Sequence, residues 1–285
     1  MIFFFESGKL GNQIFQYFGL KKYFPNHKLF FFGCNDLRKS CTKLKLYFCG
    51  LSPRNTQFQF ILFSFLFSFF AKIRIIGLIT QSTNNDDFKI VIKRGILFNI
   101  YLARSVYFQH KVCTKEVIYP PIIKKRLLNF GEKWLRQKGI FSNQHRLTFI
   151  NVRRADYIYG PFSKFPSVLD LDWYKKAMLH MSKKVNKPIF IVMGDDHYYI
   201  RDFFKESNSL FISDNSVEID LSIMSMCSHG ILSASSLAWW GAFFAKTRKK
   251  NGFHSYFIAP KFWIGHRLKK WYPQGFFSDW ITYIK

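Results

Sequence analysis

The order of apolar segments predicts an α/β protein of two Rossmann-like domains, each built on a parallel sheet. Three observations carry this expectation. From Leu147 to Ile258, short apolar runs of strand length alternate with longer stretches of helical period, the pattern of a parallel sheet covered on both faces. The chain opens with a strand–turn–helix–strand sequence of its own. Its 285 residues exceed one average domain and suit two of roughly 130–150 residues. The boundary is placed before Arg146, giving domains 1–145 and 146–285.

Ile2–Phe5 reads as a buried strand and Glu6–Gly11 as a Gly-containing turn. Asn12–Tyr23 carries Ile14, Phe15, Phe18 and Leu20 at helical spacing and stops before Pro25. Lys28–Phe32 is the next strand. Residues 35–145 are less regular, with helices expected near 58–78 and 122–138. Leu147–Val152 starts the second unit. A helix over Asp172–Val185 follows, with Asp172 as N-cap and Lys183 and Lys184 in the last turn. Strands at Pro188–Met193, Ser209–Ile212, Gly230–Leu232 and Ser255–Ile258 then alternate with helices at Tyr198–Lys205, Glu218–Cys227 and Ser236–Lys246.

The formal net charge is +26 and Phe alone accounts for 36 residues. A field this positive keeps anionic partners close: nucleic acid, an anionic membrane or a phosphate-bearing small molecule. The cations are scattered along the whole length rather than gathered in a tail, which argues against nucleic acid. The five cysteines are odd in number and form no C-x-x-C pair, so neither a disulfide framework nor a zinc site is expected, and reduced cytoplasmic thiols are the simplest account. The start, Met1 to Glu6, lacks the basic, long apolar pattern of a signal peptide. Residues 55–71 are uncharged and Phe-rich, yet broken by Gln59, Ser64 and Ser68. The stretch falls short of the ~20 apolar residues of a span and suits a buried helix or one lying on a membrane surface.

Ligands of open parallel sheets bind beyond the carboxyl ends of the strands. Three such ends carry polar sets: Arg153-Arg154-Ala155-Asp156-Tyr157, Gly194-Asp195-Asp196-His197, and Ser233-Ala234-Ser235-Ser236 opening a helix. A guanidinium offers paired donors to phosphate oxygens. A helix start with hydroxyls offers more, and a carboxylate accepts from a base or ribose. Together they describe a nucleoside-diphosphate site. No G-x-x-x-x-G-K-[ST] loop, G-x-G-x-x-G turn or H-E-x-x-H occurs. Asp170-Leu171-Asp172 reads as a helix start rather than a metal-binding pair. With no metal expected, a leaving pyrophosphate must be met by side-chain cations and N–H donors, Arg153 first among them.

Several segments then resemble one family in order. Gly8-Lys9-Leu10-Gly11-Asn12-Gln13-Ile14-Phe15-Gln16-Tyr17, Tyr107-Phe108-Gln109, Asn151-Val152-Arg153-Arg154-Ala155-Asp156-Tyr157, Asp220-Leu221-Ser222-Ile223-Met224-Ser225-Met226-Cys227-Ser228-His229 and Ser235-Ser236-Leu237-Ala238-Trp239-Trp240-Gly241-Ala242 resemble the signatures of glycosyltransferase family 11. Ala259-Pro260-Lys261-Phe262-Trp263 and Trp280-Ile281 extend the likeness to the chain's end.

The resemblance implies a GT-B architecture, two Rossmann-like domains facing a cleft, and metal-independent, inverting transfer of L-fucose from GDP-fucose to a hydroxyl such as galactose O2. The N-terminal domain would hold the acceptor and the C-terminal domain the donor. Arg153 would bind the β-phosphate, with Asn12 facing it across the cleft. Arg154, Asp156, Asn151, Gly11, Ser235 and Ser236 would complete the donor site, and Asp220 would contact guanine or ribose. Trp239 and Trp240 read as packing for the Ser236 helix. Glu6 is the nearest candidate for a general base in the opening turn.

Four positions depart from the family pattern: Asn151 for His, Ala155 for Gly, Lys9 for Gly and Ala234 for Asn. They leave room for a non-catalytic, glycan- or membrane-associated relative, and the net charge leaves a nucleic-acid-binding protein as a further alternative. The basic surface and residues 55–71 lead to an expected peripheral, cytoplasmic location on an anionic membrane, where lipid-linked oligosaccharide acceptors would be found.

Overall fold

A computed structural model describes residues 1–84, 87–117, 120–159, 167–248 and 254–285. The chain forms two compact units, Met1–Ile123 and Lys124–Lys285, each around a six-stranded sheet, so the two-domain α/β class expected from the sequence is present.

In the first unit, β1 (Ile2–Phe5), β2 (Leu29–Phe32), β4 (Tyr47–Cys49), β5 (Gly77–Asn84), β6 (Asp87–Lys93) and β7 (Tyr101–Ala103) form one sheet in the order β4-β2-β1-β7-β5-β6. All neighbours are parallel except β5 and β6, which form a hairpin. The two-residue strands β3 (Cys41–Thr42) and β8 (Ile122–Ile123) pair apart from it. The helices are α1 (Leu10–Tyr23), α2 (Asn35–Ser40), α3 (Gln57–Lys72) and α4 (Lys111–Thr114). Strand alternation puts Ile2 and Phe4 on one fully buried face. Phe3 and Phe5 lie on the other, where their rings meet Phe67 (4.8 Å) and Phe60 (5.5 Å) of α3. The helix expected over 58–78 ends at Lys72, because Gly77 onward is drawn into the sheet beside β7.

The second unit holds α5 (Lys125–Gln137), β9 (Leu147–Val152), α6 (Ala155–Tyr159), α7 (Leu171–Lys184), β10 (Ile189–Gly194), α8 (His197–Phe203), β11 (Leu210–Ile212), α9 (Val217–Met226), β12 (His229–Ile231), α10 (Ser236–Thr247), β13 (Tyr256–Pro260) and β14 (Thr282–Ile284). Its sheet is parallel throughout, in the order β11-β10-β9-β12-β13-β14. The unit begins at Lys124 rather than at residue 146, because α5 packs along α9. Ile150, Val152, Val192, Ile231 and Ile258 form a core with Tyr174, Ala177 and Met181 of α7. Helix α7 is capped by Asp170, whose carboxylate accepts the Trp173 N–H at 2.8 Å. Asp172, expected to cap, sits inside the first turn instead.

Candidate active site

Strand order fixes what meets at the carboxyl edge of the second sheet. β9 lies between β10 and β12, so the segments leaving all three strands are neighbours. Arg153, just beyond β9, is held by two carboxylates: Nη2 lies 2.5 Å from Asp156 Oδ2 and Nη1 lies 2.9 Å from Asp195 Oδ2. Arg154 bonds through Nε to Asp196 at 3.2 Å and stacks over the Tyr199 ring, 3.7 Å from its centroid. Asp195 also accepts the backbone N–H groups of Arg154 (2.8 Å) and Ala155 (3.3 Å), so it sets the turn as well as the side chain. Ala155 is absent from the residues of positive φ, which is why alanine serves where the family has glycine.

The link to the third strand end is direct. The Tyr157 hydroxyl donates to the Ala234 carbonyl at 2.5 Å. The Ser233 hydroxyl donates to Asn151 Oδ1 at 2.6 Å. Asn151 is thus a buried brace between β9 and β12 rather than an exposed ligand group. Ser235 caps α10, accepting the Ala238 N–H at a long 3.4 Å. Its helix start directs N–H groups without helical acceptors toward the same edge. Trp239 and Trp240 anchor this helix: both are fully buried, and Trp239 Nε1 donates to Ser278 at 2.9 Å. Each such ring buries about 150–250 Å², of order ~4–6 kcal/mol at ~25 cal/mol per Å².

Electrostatics correct the simplest expectation. Arg153 and Arg154 are not bare cations awaiting phosphate. With Asp156, Asp195 and Asp196 they form an ion-pair cluster whose formal charge is −1. The clamp orients the guanidinium and leaves it further N–H donors, since arginine has five. Asp220 is braced within its own unit. It lies on α9 by the end of β11, buried, accepting the Ser213 hydroxyl at 2.6 Å, and desolvation lifts its pKa to about 8. It faces inward because α9 presents it to the Ser213 turn, which itself hangs from β10 by a 2.8 Å bond from Ser213 N–H to the Val192 carbonyl.

In the first unit the turn after β1 and the segment after β7 converge by the same logic. Asn12 Oδ1 accepts Gln109 Nε2 at 2.8 Å, and the Ser7 and Tyr107 hydroxyls lie 3.2 Å apart. Gly8 has φ +85°, and a Cβ there would stand 2.5 Å from the Asn12 side chain. Gly19 of α1 admits the Phe108 ring, whose Cγ would lie 2.0 Å from an added Cβ. Gly11 is buried in the first turn of α1. Glu6 is half-buried; its carboxylate accepts the N–H of Cys34, a residue in the left-handed region. Burial raises its pKa, against the lowering effect of that N–H. Glu6 therefore braces the turn after β2.

Asp195, Tyr199, Tyr157 and Gln109 are the site residues that sequence reasoning did not name for the roles they hold. The Gly194-Asp195-Asp196 set, the Arg153–Tyr157 set and the Tyr107-Phe108-Gln109 segment are signals for three of them; only strand order assigns their partners.

Fold and sheet edge define a class: a two-unit α/β protein whose second unit gathers guanidinium groups, carboxylates and a serine-capped helix start at one carboxyl edge. The chain belongs to glycosyl transferase family 11, whose model matches residues 123–282, more than half its length. It is 27% identical over 188 residues to the O-antigen biosynthesis glycosyltransferase WbnK of Escherichia coli, covering 64% of this chain and 59% of that protein. It is 28% identical over 121 residues to an alpha-1,2-colitosyltransferase of Escherichia coli, covering 40% of each. The matched stretch thus spans well under two thirds of either relative. Among solved structures, POFUT1 in complex with GDP aligns with a TM-score of 0.49 at 9% identity over 90% of this chain and 97% of that one. Fucosyltransferase NodZ from Bradyrhizobium aligns at 0.46 and 10% identity over 84% and 92%.

Proposed function

We propose that the protein is an inverting α-1,2-fucosyltransferase that moves L-fucose from GDP-fucose to a glycan hydroxyl, galactose O2 being the first candidate. The observation that carries this reading is the Arg153 guanidinium, oriented by Asp156 and Asp195 at the end of β9, the strand that pairs with β12, after which the Ser235–Ser236 helix start follows. The acceptor oxygen attacks the anomeric carbon as the bond to the β-phosphate oxygen breaks. The charge gained by that oxygen is met by Arg153 and the α10 N–H groups, a preorganised stabilisation worth ~2.7–4 kcal/mol per donor in comparable sites. Asn12 is held in place by Gln109 within the first unit, and no metal takes part. The acceptor proton passes to a base, for which Glu6 with its raised pKa is the candidate. Glu6→Gln then slows turnover by about 10²–10⁴, while an unchanged rate removes Glu6 from the reaction.

The relative named for O-antigen biosynthesis supports a glycan acceptor, and a lipid-linked oligosaccharide is the candidate. The alpha-1,2-colitosyltransferase relative favours a second reading, in which the donated sugar is colitose. The deciding experiment offers GDP-fucose, a colitosyl donor and other nucleotide sugars with a galactoside acceptor, and determines the product linkage by NMR. GDP-fucose turnover to an α-1,2 product, undiminished by EDTA, is the expected result. Absence of GDP release with every donor and acceptor refutes the enzyme reading and leaves a non-catalytic relative.

A further inference from the structure

The first unit leaves a feature that this chemistry does not use. Helix α3 has no charged side chain from Gln57 to Ala71, yet it packs on the sheet through a narrow stripe around Phe60, Phe67 and Ala71. Much of the rest of the helix points outward: Phe58 is 80% exposed and Phe65 66%, with Ile61, Leu62 and Phe69 exposed beside them. Past the β5–β6 hairpin, Ile96 and Phe98 are exposed as well. Contiguous apolar surface of this extent marks an interaction site. Along α3 runs a groove of about 810 Å³, with Phe60, Phe65, Phe69, Leu78 and Leu102 among its walls. Lys72, Arg74, Lys93, Arg94 and Arg104 also line it, and no carboxylate does. Among the described residues, none of these five cations forms an ion pair.

We propose that this face docks on an anionic phospholipid bilayer, with the outer Phe, Ile and Leu side chains of α3 in the acyl boundary and the five cations on headgroup phosphates. Three observations select this occupant. The groove's charge is of one sign, complementary to an anionic surface. A second copy of the chain would bring the same five cations against these and repel them. No helix among the described residues is long and apolar enough to cross a membrane, so α3 lies in the interface plane.

The test is co-sedimentation of the full chain with phosphatidylcholine vesicles, with and without phosphatidylglycerol. It needs neither donor nor acceptor, so it succeeds or fails independently of the proposed transfer reaction. Binding to the phosphatidylglycerol vesicles, weakened by salt, is expected. Phe58→Ser/Phe65→Ser should abolish most of it, and neutralising Arg74 and Arg94 should each weaken it about fivefold, with thermal melts unchanged because these side chains are exposed. Equal binding to neutral vesicles, no binding, or wild-type binding by both sets of variants overturns the proposal. So does a dimer in light scattering that Phe65→Ser dissolves, since the face would then belong to a second copy.

Discussion

Replacing Arg153 by alanine separates what the ion-pair clamp does for the fold from what the guanidinium does for the reaction. The substitution leaves Asp156 and Asp195 without the cation that lies 2.5 and 2.9 Å from them. The three side chains are 19%, 28% and 19% exposed, between the surface pairs worth ~0–1 kcal/mol and the buried pairs whose breakage costs ~3–5 kcal/mol. A loss of about 1–3 kcal/mol follows, or about 2–12 °C in Tm for a unit of this size. Turnover should fall ~10²–10³-fold through the lost stabilisation of the leaving oxygen. The double variant Arg153→Ala/Asp195→Asn removes one unneutralised charge while its amide oxygen still accepts the Arg154 and Ala155 N–H groups. Differential scanning calorimetry should show much of the Tm recovered. A GDP-release assay should show turnover as low as in the single variant. If both recover together, Arg153 is a structural brace and the assignment of the leaving-group role to it is wrong.

Asp220 carries a pH signature: its carboxyl ionises near 4 in the unfolded chain and at about 8 in the fold. The folded state therefore holds the extra proton between those values, and stability from this group is full below pH 4 and lost as pH rises to about 8. Asp220→Asn should flatten that decline by up to ~1.4 kcal/mol per pH unit, read from melts at pH 5, 6, 7 and 8; parallel curves for both proteins would show that Asp220 is charged in the fold. Ser235→Ala removes a cap bond of 3.4 Å, so stability should drop by only about 0.5 kcal/mol, the low end for N-caps, while calorimetric titration shows GDP bound more weakly; unchanged GDP affinity would take this helix start out of the donor site. Gln109→Leu removes the donor that fixes Asn12 and should cost about tenfold in kcat through misplacement for about 1 kcal/mol of stability; full activity would leave Asn12 without a positioning partner.

Much of this was legible in the chain itself. The uninterrupted apolar run of Ile2–Phe5 and the mostly apolar Leu147–Val152, broken by Thr148 and Asn151, announce buried strands, since a covered parallel sheet takes near-continuous apolar runs. The polar sets at Arg153, Asp195 and Ser235 stand at strand ends for the same reason. The failures share another cause. Asp170 and Asp172 both suit an N-cap locally, and the path of the chain into α7 chooses the first. β14 pairs with β13 across the intervening segment 261–281, a partner that no local pattern names.

By itself the sequence determined the α/β class, the order of most strands and helices along the chain, and the residue types that stand at each carboxyl end, because periodicity and turn chemistry are local. Only the tertiary structure decided that Arg153 is clamped by Asp156 and Asp195, that Asp220 turns inward to Ser213, that α5 belongs to the second unit, and that α3 shows its phenylalanines to solvent. Pairing and burial are set by which strands become neighbours. That order depends on packing summed over a whole sheet and leaves no mark at a single position.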